Sequence, residues 1–227
     1  MAYSLFDVAG PVMVGPSSSH TAGACKIGQI ARALFRGTPK EVTFYLYGSF
    51  ATVYQGHATD KALLAGVMKL WTSDPRIKDA FKIVEKKGLK YKFIPYKLSA
   101  PEHHPNTVRI ILKNSKRTLS VVGSSTGGGR VKITHINNIL INLKMTAGRY
   151  FSILIGHENK KNILNPLYKK LLNWGFPINK KHTFSMKKRG LTVISTENST
   201  LKLPQVLKLE KLPGIEFVRA LTKLLKY

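Results

Sequence analysis

Acidic side chains are scarce in this sequence. Asp and Glu number 11 against 37 Lys and Arg in 227 residues, a formal net charge of +26. Cysteine is scarcer still: Cys25 stands alone, which excludes an intrachain disulfide and suits a reducing compartment. No apolar run approaches the length needed to cross a bilayer, and the N-terminus lacks the basic and apolar segments of a secretory signal. A cytoplasmic protein without a membrane anchor is expected. What remains is ordinary: 43% hydrophobic and 9% aromatic residues suffice for a packed core, and the length suits two small domains.

A charge of +26 raises the question of nucleic acid. Residues 1–80 carry only +3, however, and residues 81–227 carry +23. The excess is mostly lysine in short groups such as Lys86-Lys87, Lys160-Lys161, Lys180-Lys181 and Lys187-Lys188. Neither Arg-Gly repeats nor interleaved aromatics accompany them, so the pattern argues against nucleic acid as the principal partner.

Hydrophobic periodicity divides the chain. Ile27, Ile30, Ala31 and Leu34 recur at i, i+3, i+4 and i+7, the apolar stripe of a helix starting near Thr21. Residues 42–48, rich in β-branched and aromatic side chains, read as a strand ending at Gly48. A helix over 59–70, a short helix over 79–87 and strands over 90–93, 107–112, 118–122 and 131–136 follow. The run Gly123-Ser124-Ser125-Thr126-Gly127-Gly128-Gly129 is expected to be a tight loop, because three successive glycines call for positive φ or close backbone approach. A boundary is expected near residues 142–148, where the composition turns polar. Beyond it the order strand 150–156, helix 163–174, strands 182–186 and 191–196, helix 204–211 and strand 215–221 is the βαββαβ order of a ferredoxin-like unit.

Three places concentrate chemistry. Ser17-Ser18-Ser19-His20-Thr21 puts hydroxyls, an imidazole and free backbone N–H groups at a positive helix end, more donors than capping requires. His57 and Asp60 are three apart at the start of the second helix, a spacing that lets the carboxylate orient the imidazole as a general base; the plainer alternative is an acid complementing the helix dipole. In His103-His104-Pro105-Asn106-Thr107 the proline stiffens the loop and the Asn106 amide can donate and accept. His20, His57 and His104 are the candidate convergent imidazoles, but no carboxylate pattern completes a zinc site. The glycine run lacks the Gly-Lys-Ser/Thr of a nucleotide loop. Cys25, inside the first helix, reads as a small buried apolar residue.

Together these segments resemble the β chain of two-subunit, iron–sulfur-dependent L-serine dehydratases. The resemblance rests on Phe6-Asp7-Val8, Gly10-Pro11-Val12-Met13-Val14-Gly15-Pro16-Ser17-Ser18-Ser19-His20-Thr21-Ala22-Gly23, Tyr47-Gly48-Ser49-Phe50, Gly56-His57-Ala58-Thr59-Asp60-Lys61-Ala62, His104-Pro105-Asn106-Thr107 and Ser125-Thr126-Gly127-Gly128-Gly129. It implies an α+β fold, with an allosteric-substrate-binding-type domain over residues 1–145 and a ferredoxin-like ACT domain over 149–227. It also implies a separate α chain that carries a [4Fe–4S] cluster. One cysteine cannot supply the thiolates of such a cluster.

The implied reaction is loss of the α-proton and β-hydroxyl of L-serine, ending in pyruvate and ammonia, with iron as Lewis acid on the leaving hydroxide. Carried over by position, His57 transfers a proton with Asp60 orienting it, and Ser17, Ser19, His20, Thr21 and Asn106 anchor the substrate. ACT domains usually follow their first strand with an acidic-x-x-glycine turn; residues 157–162 here lack the glycine, which argues for assembly rather than ligand binding by that half. A stand-alone amino-acid sensor without turnover is the alternative from another functional class.

Overall fold

The computed structural model describes residues 12–96, 104–137, 139–145, 151–176, 178, 180–196 and 201–221. Phe6, Asp7, Val8, Gly10, Pro11 and His103 lie outside this set. The chain divides into two compact units, Met1–Ala147 and Gly148–Tyr227.

The first element among the described residues is a single π-helical turn, Ser18–Gly23, that runs directly into α1, Ala24–Phe35. Its stripe is as the periodicity requires: Ile27, Ile30, Ala31 and Leu34 are buried, the isoleucine and leucine side chains each contributing about 1.5–3 kcal/mol. Strand β1, Glu41–Tyr47, leads to a five-residue helix α2, Ser49–Val53, which is too short for periodicity to reveal. Helix α3, Thr59–Val67, stops three residues earlier than expected. A 3-10 turn, Pro75–Asp79, precedes α4, Ala80–Lys86. Strands β2, Lys90–Tyr96, β3, Thr107–Lys113, β4, Thr118–Ser125, β5, Val131–Ile136, and β6, Ile139–Met145, complete the unit.

These strands form one sheet in the order β2-β1-β3-β4-β5-β6, with β1 and β2 parallel and the remaining pairs antiparallel. One sequence expectation is corrected. Gly123, Ser124 and Ser125 belong to β4, where they pair with β5, so the loop proper is only 126–130. Strand β6 runs into the first residues of the segment expected to hold a boundary, and the division between the two units, after Ala147, falls inside that segment.

Helices α1 and α3 cross with their backbones in contact. A Cβ on Gly28 would lie 2.6 Å from the Leu63 carbonyl oxygen, and one on Gly66 would collide with the Cys25 carbonyl oxygen. Glycine is required at both places because no side chain fits between the helices.

In the second unit β7, Phe151–Glu158, α5, Asn165–Asn173, β8, Lys180–Met186, β9, Arg189–Thr196, α6, Leu203–Glu210, and β10, Ile215–Leu221, follow the βαββαβ order. The sheet is antiparallel in the order β10-β7-β9-β8. Its core joins Ile153, Ile155 and Ile194 to Leu167 and Leu171 of α5 and Val206 and Leu209 of α6. Where a glycine was missed in the sequence, Asn162 adopts φ 62, a left-handed conformation that asparagine tolerates better than most residues.

Candidate active site

The π-turn, the α2 turn and the loop before α3 bring two imidazoles face to face. The His20 and His57 ring centroids are 4.7 Å apart with the planes tilted by 35°. Ser17 sits in an extended conformation at the head of the π-turn, its Oγ accepting from the His20 backbone N–H at 3.1 Å and lying 3.4 Å from His20 Nδ1. On the other side of the ring, His20 Nε2 is 2.9 Å from Ser49 Oγ, and Phe50 packs edge-on at 5.4 Å. His20 is thus held by hydroxyls at both nitrogens. Burial, and secondarily the neighbouring His57, hold its pKa below the usual imidazole value, so the ring is kept neutral.

His57 is bonded differently. Thr21 Oγ1 donates to the His57 carbonyl oxygen at 3.2 Å, tying the π-turn to the loop, while His57 Nδ1 is buried without a hydrogen-bond partner. Ala58, immediately after it, adopts φ 54 and ψ 29, left-handed for a residue with a Cβ. Strain of this kind concentrates at functional sites.

Asp60 does not pair with His57. Its Oδ1 accepts the Lys61 backbone N–H at 2.7 Å, and burial pushes its pKa up against that stabilising bond. The i, i+3 spacing applies only within a continuous helix, and the left-handed Ala58 turns the chain between the two residues. Ser19 is half-buried on the π-turn and makes no side-chain hydrogen bond among the described residues.

Asn106 closes another side. Residue Phe50 donates its backbone N–H to the Pro105 carbonyl at 3.3 Å, which sets the 105–106 segment against the turn carrying Ser49. Asn106 is buried, accepts the Ser125 N–H on its carbonyl at 2.9 Å, and donates its own N–H to His104 Nδ1 at 3.2 Å. His104 itself is exposed and does not join the imidazole pair. Among the described residues no group of three His, Cys, Asp or Glu side chains is placed to hold a metal ion.

Two participants escape sequence reading: Ser49, which lies 29 positions from His20, and Lys26, whose Nζ donates to the Gly129 carbonyl at 2.7 Å across 103 positions. Only the position of Ser49 inside the Tyr47-Gly48-Ser49-Phe50 segment signalled it.

A mixed α/β unit whose sheet and helix ends converge on a hydroxyl-bracketed imidazole pair defines a small-molecule site of the acid–base kind. Comparison with known proteins specifies it. The serine dehydratase beta chain family matches residues 4–135. The chain is 42% identical over 176 residues to the probable L-serine dehydratase, beta chain, of Bacillus subtilis (strain 168), covering 76% of this chain and 78% of that one. It is 40% identical over 196 residues to the L-serine dehydratase, beta chain, of Peptoniphilus asaccharolyticus, covering 86% and 85%. The chain belongs to the serine dehydratase beta chain family.

Proposed function

We infer that this chain is the β subunit of an L-serine dehydratase, supplying proton-transfer and substrate-anchoring groups to a site completed by a cluster-bearing α chain. The observation that carries the reading is the asymmetry of the imidazole pair: both nitrogens of His20 are engaged by hydroxyls, whereas His57 keeps a buried nitrogen free. A buried polar atom without a partner is a place where a ligand or a proton belongs.

Serine loses its α-proton and β-hydroxyl as water, leaving aminoacrylate, which tautomerises and hydrolyses to pyruvate and ammonia. In this reading His57 takes the α-proton. His20, neutral and fixed, anchors the carboxylate or ammonium with Ser17, Ser19 and Asn106, while Thr21 positions His57 through its carbonyl. Asp60 has the smaller role of steadying the first turn of α3.

Cys25 does not fit a cluster ligand. It is wholly buried, its thiol donates to the Leu70 carbonyl, and burial raises its pKa to about 12, so it stays protonated. The [4Fe–4S] cluster implied by the family resemblance therefore belongs to the α chain. A lone protected thiol also suits a cytoplasmic setting.

The units Met1–Ala147 and Gly148–Tyr227 are assigned to the allosteric-substrate-binding and ACT types. The second acts in assembly: His157, at the end of its first strand, already bonds the Glu158 carbonyl and Thr192 Oγ1, leaving neither ring nitrogen for a regulatory ligand.

Anaerobic co-expression with the cluster-bearing chain and a pyruvate assay on L-serine tests the reading. The complex should turn over, and His57→Ala should lower kcat about 10²–10⁴-fold, the usual contribution of a positioned base, with the cluster absorbance unchanged. No pyruvate from a cluster-loaded complex sinks the assignment; near-normal turnover of His57→Ala removes that residue from the chemistry.

A further inference from the structure

A second polar feature joins α1 to the loop after β4. Lys26 is 3% exposed, and among the described residues its only hydrogen bond runs to the Gly129 carbonyl and no carboxylate neutralises it. Ammonium groups are rarely buried without a counter-charge, because desolvation disfavours the cation.

Gly129 ends a run of three glycines with φ of 94, 57 and 68. The Arg130 N–H returns to the Gly127 carbonyl at 2.9 Å, closing a tight turn whose two central residues have positive φ. No acceptor faces the amides of Gly127, Gly128 or Gly129 among the described residues. Ordinary hairpin tips leave such amides to water, but this one is pinned from beneath by a cation.

The turn is also fastened to the site. Ser125, at its base, donates its N–H to the Asn106 carbonyl. Its hydroxyl is fully buried without a partner and packs so closely on Gly23, at the end of the π-turn, that no Cβ fits between them. The free amides and the unpartnered buried hydroxyl of residues 125–129, and the uncompensated ammonium that reaches them from α1, all complement negative charge.

We propose that Lys26 and the Gly127-Gly128-Gly129 turn form one carboxylate-recognising element of the dehydration site, with Lys26 as the positioning residue that clamps the turn and the glycine amides as the donors. This rests on the chain being a dehydratase subunit, whose substrate carries one carboxylate.

The test uses the assembled complex. Lys26→Met, of similar length but uncharged, should raise KM for L-serine about tenfold with kcat nearly unchanged, the signature of a lost ground-state contact to an ion. Lys26→Gln, which keeps a donor for Gly129, should fall between Lys26→Met and the unsubstituted enzyme. Amide hydrogen exchange on the unsubstituted complex supplies a readout independent of turnover: saturating L-serine should slow exchange across 127–129, and L-serinamide, which lacks the carboxylate, should not. The exchange result decides the matter if Lys26→Met does not assemble. Protection by L-serine at 17–21 and 57 but not at 127–129, or an unchanged KM in Lys26→Met, overturns the proposal while leaving the dehydratase reading intact. A cluster-loaded complex that makes no pyruvate strikes at the dehydratase reading instead.

Discussion

Lys26 makes a prediction about stability that is separate from its role in binding. Burial lowers its pKa from 10.5 to about 8, because the folded chain surrounds the ammonium with little that replaces water. The unfolded chain therefore binds more protons than the folded one between pH 8 and pH 10.5, and stability rises through that interval as the penalty of keeping the cation charged disappears. A shift of this size corresponds to roughly 3 kcal/mol, at 1.36 kcal/mol for each pKa unit. Lys26→Met has nothing to titrate, so its stability lacks this rise. Surface lysines and tyrosines titrate alike in both chains and cancel in the difference. Urea unfolding of the two chains at about pH 7.5 and pH 10.5, with equal m-values, should give a difference in unfolding free energy that shifts by roughly 3 kcal/mol in favour of the unsubstituted chain at the higher pH. Curves that stay parallel across the range would refute the burial of a charged Lys26.

Other outcomes follow from the same geometry. Cys25 should resist alkylation in the native chain and react fully after denaturation, measured by mass; rapid native labelling would contradict its burial and raised pKa. Ser49→Ala removes the hydroxyl from His20 Nε2 and should raise KM for L-serine several-fold, in line with about 1 kcal/mol for one hydrogen bond, while secondary structure by circular dichroism is unchanged. Gly66→Ala should destabilise the chain by about 1–3 kcal/mol in a denaturant titration, although alanine is the better helix former, because its methyl meets the Cys25 carbonyl. In the second unit, Leu167→Ala should cost about 2–5 kcal/mol, since that side chain is fully buried against the sheet.

Local pattern carried much of the fold. The i, i+3, i+4, i+7 stripe of α1 and the β-branched run of β1 each depend on neighbours in sequence, so they were legible there. Gly123, Ser124 and Ser125 were not, because their strand conformation is imposed by pairing with Val131, Lys132 and Ile133 across the turn and overrides weak local preference. Strand β6 was obscured in the same way: apolar residues at 139, 141 and 143 alternate correctly, but Asn142 and Lys144 between them gave the segment the composition of a linker. At the site, the motif residues Ser17, His20, Thr21 and His57 do meet. The pairing of Asp60 with His57 failed on one backbone angle, the positive φ of Ala58, which residue spacing does not encode. Ser49 and Lys26 stayed hidden because their partners are distant in sequence and are chosen by packing.

The crossing of α1 and α3 has a bearing on the imidazole pair. The π-turn that carries His20 is the continuous upstream extension of α1, and His57 lies two residues before α3 begins. Where these helices meet, at Gly28 and Gly66, the contact is backbone on backbone. The spacing of the two backbones that carry the rings is consequently set by main-chain thickness at the crossing. Repacking elsewhere along either helix can be absorbed locally, whereas a single carbon added at the crossing acts as a wedge whose displacement is carried along two stiff rods to the imidazole pair.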